Sequence, residues 1–364
     1  MEIMFTERIY NFSAGPSMLP ESVLKQAASE LLNFGGSGTS VMEMSHRSKD
    51  FLAIFEETKA LLKEVMGIPE THEALFLPGG AWMQFAMVPM NLIGTTGKAD
   101  YAVTGNFSQL AMKEAKKYGD IHIACDSADL NHTYIPRQAD LNLRPDAAYF
   151  HYCSNNTIYG TEWDYIPEAS VPLVCDMSSN ILSKPVDVSK YGLIYAGAQK
   201  NMAPAGLGVV VIDKNLVGNE LPVTPTMLSY KAMVEADSMH NTPPCYNIYM
   251  LGLVLKWIKS EGGLVGMQAK NVEKAKVLYD YLDETTFYKS PVQKEVRSMM
   301  NVPFVTGNED LDNAFCKEAE KKGLSNLKGH RNVGGMRASI YNAMPKAGLE
   351  ALVAFMKEFE TKNR

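Results

Sequence analysis

Residues 193–212 read LIYAGAQKNMAPAGLGVVVI. Two apolar runs, Leu193 to Ala196 and Gly208 to Ile212, flank a turn rich in Pro and Gly. Their length and punctuation are those of short buried strands. The first run delivers Gln199 and Lys200 to its C-terminal end, at the edge of a sheet facing a crevice. That is where α/β proteins bind ligands. Burial there disfavours an ammonium, and the neutral amine is the nucleophile that condenses with a carbonyl. A lysine in a surface loop satisfies the same short pattern, so Lys200 needs a partner to mean more.

The partner is 24 positions upstream. Residues 171–176, VPLVCD, form an apolar strand ending in Asp176, with Ser178, Ser179 and Asn180 after it. A buried carboxylate at a strand end needs a cation or hydrogen-bond donors. A protonated pyridine nitrogen is such a cation. An N-cap or turn aspartate is the plainer reading of Asp176 alone. An Asp ending one strand and a Lys ending the next are far more specific together.

Further out, helical and strand patterns alternate. Helices are predicted over 51–66, 81–93 and 108–118, and strands over 74–77, 101–104, 121–124 and 147–153. This favours an α/β fold with a mostly parallel sheet sandwiched by helices. After about Trp257 the pattern changes. Helices over 262–282, 310–322 and 346–362, with a strand over 299–305, predict a smaller α+β C-terminal domain, and a helix over 246–257 precedes it. No linker marks the boundary.

The formal net charge of −6 argues against a general nucleic-acid binder and leaves anionic small molecules open. Five cysteines without a CxxC pair argue against a disulfide framework or a zinc ribbon, and no metal is expected. The opening MEIMFTERIYNFSAGP has no signal-peptide pattern, and no apolar run approaches a membrane span, so the cytoplasm is the expected location.

Other segments could carry chemistry. Pro78-Gly79-Gly80-Ala81-Trp82 joins a strand to a helix, where small residues and a helix N-terminus suit a phosphate. It matches neither the dinucleotide nor the P-loop fingerprint. Basic residues gather at His46-Arg47 and at His330-Arg331 with Arg337 beyond Gly334-Gly335; either set is solvated surface charge or an anion site. Asn241-Thr242 lies in a Pro-rich loop that could reach a phosphate. Phe107, after Gly105-Asn106, could stack on a planar ring or pack in the core.

Taken in order, the segments YNFSAGPSMLPESVL, SHRSKDF, GGAWMQFAMVPMNLI, KEAKKYG, NNTIYGTEW, the Asp176 strand, AGAQKNMAPAGLGVVVI, HNTPP and GHRNVGGMRASIYNAMP resemble the phosphoserine aminotransferases, a class-V aminotransferase family. The likeness runs almost end to end. It implies the type I fold of pyridoxal-phosphate enzymes, with a large domain of residues 16–256 and a small domain of 1–15 and 257–364. It implies a homodimer with active sites at the subunit interface. Lys200 would hold the coenzyme as a Schiff base and shuttle the proton, and Asp176 would bind the pyridinium nitrogen. Phe107 would stack on the ring and Thr157 would bond its hydroxyl side. Gly80, Ala81, Trp82 and Gln199 would hold the coenzyme phosphate, completed by Asn241 and Thr242 from the partner chain. His46, Arg47, His330, Arg331 and Arg337 would bind substrate. The family commonly has Trp at the position of Phe107, and Arg or Ser at that of Trp82. Phe keeps a stacking face without the indole donor, and Trp82 keeps only backbone contacts to a phosphate.

The activity so implied is reversible transamination between glutamate and 3-phosphohydroxypyruvate, giving 2-oxoglutarate and O-phosphoserine in serine biosynthesis. The resemblance also allows the four-carbon 3-hydroxy-2-oxo-4-phosphooxybutanoate of pyridoxine biosynthesis. Two readings compete: a lyase or desulfurase on the same fold, which often needs a mobile cysteine, with Cys245 the candidate; and a coenzyme-binding sensor without turnover.

Overall fold

The computed structural model describes residues 8–94 and 96–364. The expected leader-free N-terminus and part of the expected 1–15 segment lie outside them. The first half runs β1 (Tyr10–Asn11), α1 (Glu21–Ser29), α2 (Lys49–Met66), β2 (His72–Pro78), α3 (Gly80–Leu92), β3 (Lys98–Val103), α4 (Asn106–Ala115) and β4 (Asp120–Asp126). Strands β5 (Phe150–Cys153), β6 (Leu173–Asp176), β7 (Leu193–Gly197) and β8 (Leu207–Asp213) follow. Then come α5 (Tyr230–Glu235), α6 (Cys245–Ser260), α7 (Gly263–Glu284), β9 (Asn301–Phe304), α8 (Glu309–Lys321), β10 (Leu324–Ser325), β11 (Met336–Ser339) and α9 (Lys346–Asn363).

Local chemistry sets the helix ends. The Ser48 hydroxyl accepts from Phe51 N at 3.2 Å and starts α2, and Gly67 stops it in the left-handed conformation. Between those caps Phe51, Ile54, Phe55, Leu62 and Met66 recur at helical spacing and are buried.

Seven strands form one sheet in the order β2-β8-β7-β6-β5-β3-β4. Six share a direction, and β8 runs antiparallel to both its neighbours. Strand alternation divides the molecule into two layers of core. Ile194, Ala196, Val209 and Val211 face α2 and α6, with Phe51, Phe55, Ile248 and Leu251. Leu193, Tyr195, Val210 and Ile212 face α3 and α4, with Phe85, Val88, Ala111 and Met112. A separate core gathers Phe12, Leu278, Tyr288, Phe304, Phe315 and Phe355 around the β9–β11 pair.

Two expectations need correction. Strand–helix alternation holds only from β2 to β4. Among the described residues no α-helix separates β5, β6, β7 and β8. Pro167, Pro172, Pro185 and Pro204 punctuate those connections, and each removes a helical hydrogen-bond donor. The strand expected over 147–153 begins only at Phe150. Among the described residues no helix is long and apolar enough to cross a membrane.

The strand order reverses beside β3: the chain leaves it for β4 on one side and returns to β5 on the other. Such a switch opens a crevice at the carboxyl ends of the strands. The segments after β3, β5, β6 and β7 all end there.

Candidate active site

The crevice is lined by Asp176, Lys200, Phe107, Thr157, Ala81, Trp82, Gln199, His330 and Arg337, all expected from the sequence. Lys200 follows β7, and its Nζ donates to Thr157 Oγ1 at 2.6 Å. The amine also lies 5.3 Å from the centroid of the Phe107 ring. Burial pushes the Lys200 amine below its usual range, with Arg337 adding to the shift and Asp176 opposing it. The neutral amine needed for carbonyl chemistry is thereby favoured.

Asp176 ends β6 and is 5% exposed. Its Oδ1 accepts from Ser178 N at 2.9 Å. Burial raises the carboxyl above its ordinary range, while Ser178, Lys200 and Tyr195 favour the ionised form. A carboxylate so placed is under-compensated and is stabilised by a cation arriving in the crevice.

The opposite wall is the N-terminus of α3. Gly79 and Gly80 both have positive φ (89° and 59°), and no side chain caps the helix. Its first N–H groups are left for a ligand. A Cβ on Gly208 would stand 3.0 Å from Gly80 O, and one on Gly197 would stand 2.9 Å from Gln199 Oε1 and 3.3 Å from Ala81 N. Glycine at both positions lets the helix end sit down on the sheet. Gln199 Oε1 is buried there without a partner. Trp82 is 62% exposed, and its ring lies 5.3 Å from that of Phe85.

Arg337 comes from β11. Its Nη1 donates to Thr157 O at 3.2 Å, and its Nε is buried without a partner. Among the described residues it forms no ion pair. His330 stands beside it, its pKa lowered by burial and by the charges of Arg337 and Arg331. The lining thus offers the Arg337 cation, with Lys200 and His330 able to take up a proton, against one carboxylate. An aldehyde-bearing, phosphorylated pyridine matches this donor set: amine for aldehyde, Asp176 for ring nitrogen, Phe107 for ring face, α3 for phosphate.

His46 is buried beside the exposed Arg47 ahead of α2, and neither lines the crevice of the single chain. Arg331, Asn241 and Thr242 are exposed and do not line it either. Several lining residues were not singled out as ligands. Ala14 lines the crevice and Gly15 packs on the lysine stem: a Cβ on Gly15 would sit 3.4 Å from Lys200 Cγ, and Ser17 N donates to Gln199 O at 3.0 Å. Asn155 donates to Ser179 Oγ at 2.7 Å and to Asn301 Oδ1 at 2.9 Å, tying the rim to the second core. Their signal was the polar run Ser-Asn-Asn after an apolar strand.

A family model described as aminotransferase class-V matches residues 9–352. This chain is a class-V aminotransferase. It is 54% identical to the phosphoserine aminotransferase of Nitrosomonas europaea, over 97% of this chain and 98% of that one. It is also 54% identical to that of Laribacter hongkongensis, over 98% and 99% of the two chains. The phosphoserine aminotransferase of Bacillus circulans subsp. alkalophilus superposes with a TM-score of 0.96 at 45% identity, covering 99% of this chain and all of that one. The pyridoxal-phosphate-bound phosphoserine aminotransferase of Trichomonas vaginalis gives 0.93 at 39% identity, over 96% and 100%. Within this class-V aminotransferase, the sheet supplies Asp176 and Lys200, and the second core supplies Arg337 and His330.

Proposed function

We propose that this class-V aminotransferase is a pyridoxal-phosphate-dependent phosphoserine aminotransferase. It exchanges the amino group of glutamate with 3-phosphohydroxypyruvate, reversibly, and acts in serine biosynthesis in the cytoplasm. The observation that carries the reading is Arg337. Its guanidinium is largely buried, lacks a carboxylate partner and lines the same crevice as Lys200 and Asp176. A buried, unpaired cation calls for an anionic ligand.

Pyridoxal phosphate, when bound, supplies the electron sink for loss of the substrate Cα proton. Lys200 would hold it, and the lysine amine would move that proton, an acid–base contribution of roughly 10²–10⁴ in rate. Thr157 Oγ1 holds the amine in place at 2.6 Å. Asp176 offers its carboxylate to the ring nitrogen, Phe107 its face, and Gly80, Ala81, Trp82 and Gln199 the phosphate cup. Arg337 and His330 take the substrate anion, carboxylate or phosphate alike. A four-carbon phosphorylated keto acid presents the same charges and is a further substrate of the same site.

His46, Arg47, Arg331, Asn241 and Thr242 belong to this reading through a homodimer whose active site lies between subunits. Residues 16–256 are then the coenzyme-binding domain, and 257–364 with the N-terminal segment the small domain. The lyase alternative is weakened by the cysteines. Cys153 lines the crevice, yet burial drives its thiol far above the usual range. Burial also raises the half-buried Cys245 thiol.

Borohydride reduction of the coenzyme-loaded protein, followed by peptide mapping, tests the anchor. Label on Lys200 is expected, and label elsewhere overturns it. Glutamate alone should convert the coenzyme stoichiometrically to its amine form, which a lyase would not do.

A further inference from the structure

Beneath the crevice floor lies a polar row that the reaction as described leaves unused. Asp176 and Tyr195 are register partners across β6 and β7. In parallel strands such partners project to the same face. On that face His151 of β5 reaches the Tyr195 hydroxyl, with Nε2 3.0 Å from the phenol oxygen. His151 in turn stacks on Tyr101, its register partner in β3, at 4.6 Å and 22°. The Tyr101 hydroxyl pairs with that of Tyr149 at 2.8 Å. All five side chains are buried, and Phe85 of α3 closes the layer edge-on to Tyr195 at 6.4 Å.

The tautomer of His151 decides where the phenol hydrogen points. Nδ1 is buried without a partner. Burial also holds the ring neutral, its pKa pushed down to about 3. One nitrogen therefore carries hydrogen and the other a lone pair. A buried N–H without an acceptor is rarer than an acceptor without a donor. Hydrogen thus belongs on Nε2, and Nδ1 keeps the lone pair. With Nε2–H donating to the Tyr195 oxygen, the phenol hydrogen must go elsewhere. Asp176 is the carboxylate that faces it, and the Tyr195 hydroxyl is among the groups favouring ionised Asp176.

We infer that His151 and Tyr195 are positioning residues for Asp176. His151 Nε2–H fixes the Tyr195 hydroxyl so that it donates to the Asp176 carboxylate from below, leaving the carboxylate's upper face for the pyridine nitrogen. This rests on the coenzyme reading above. The other titratable groups near the pair are Cys153 on β5, Tyr101 on β3, Lys200, and Cys175 on the opposite face of β6. The thiols are pushed up by burial and stay neutral at working pH.

The test measures binding of pyridoxal phosphate to coenzyme-free protein across pH, by quenching of intrinsic fluorescence. Tyr195→Phe should weaken binding roughly tenfold, the scale of one lost charge-assisted hydrogen bond. It should also move the acid limb of binding up by roughly one pH unit, because Asp176 would protonate sooner. Simple loss of packing would lower affinity without moving the limb. His151→Gln, which keeps an N–H near Nε2, should leave the limb in place, and His151→Leu should shift it in the same direction as Tyr195→Phe. Thermal unfolding of each variant reports folding, and if Tyr195→Phe fails to fold the His151 pair decides. An unmoved limb in Tyr195→Phe or in His151→Leu overturns the inference. Absence of pyridoxal phosphate binding by the unmodified protein would instead overturn the coenzyme reading.

Discussion

Lys200 Nζ stands 2.6 Å from the Thr157 hydroxyl. The Thr157 carbonyl accepts from Arg337 Nη1 at 3.2 Å, so the lysine amine and the guanidinium share one support. One residue of the β5 loop thereby links a lysine of the large sheet to an arginine of the second core.

Arg337→Ala should raise the KM for the phosphorylated keto acid roughly 30-fold or more, because a desolvated charge pair is lost. Changes in kcat should be much smaller. Thermal stability should hold, since Arg337 has no carboxylate partner to orphan. Steady-state kinetics with an unaltered KM would remove Arg337 from the substrate site.

Asp176→Asn should behave oppositely with and without coenzyme. Burial raises the folded carboxyl above 3.8. A raised pKa contributes stability below the unfolded value and loses it as pH rises through the folded one. At neutral pH the ionised carboxylate is thus a liability in the coenzyme-free protein, and the variant should melt higher there. It should bind pyridoxal phosphate roughly tenfold or more weakly, and gain less melting temperature on its addition. Equal gains in both proteins would refute a pairing of Asp176 with the ring.

Lys274 in α7 should make stability pH-dependent. It is buried, donates to Tyr341 O at 2.7 Å, and burial lowers its amine to about 7 from 10.5. The unfolded chain then binds more protons between those values, so stability rises with pH from 7 toward 10.5. The limiting slope is about 1.4 kcal/mol per pH unit. Denaturant titrations of Lys274→Met should show that slope abolished. A slope identical to that of the unmodified protein would refute the prediction.

Gly208→Ala should weaken coenzyme binding without touching any ligand. Its Cβ would press on Gly80 O at 3.0 Å and on Gly80 Cα at 3.3 Å, both backbone atoms. The α3 N-terminus must lift from the sheet, and the phosphate cup opens. Titration with free pyridoxal phosphate should show a several-fold loss, with inorganic phosphate competing less well. Unchanged affinity for both would show that the helix end is not the phosphate site.

Much of this was written locally. Val171–Asp176 and Leu193–Lys200 announce two buried strands and what stands at their ends, because strand burial and chain continuity act over a few residues. Caps such as Ser48 and Gly67 are local too. Three features are not. β8 folds back antiparallel on β7, its neighbour in the chain, and pairs with β2, which is distant in sequence, and the pattern of buried residues is the same for either direction. Gly15 meets the Lys200 stem across 185 positions through a backbone turn that no periodicity signals. The Asp176–Tyr195–His151 row forms only when three strands pair in register. The amino-acid sequence by itself determined which side chains could do chemistry and which segments bury them. Tertiary structure alone decided which of those groups meet, since a low-dielectric contact between distant residues depends on register and packing rather than on neighbours along the chain.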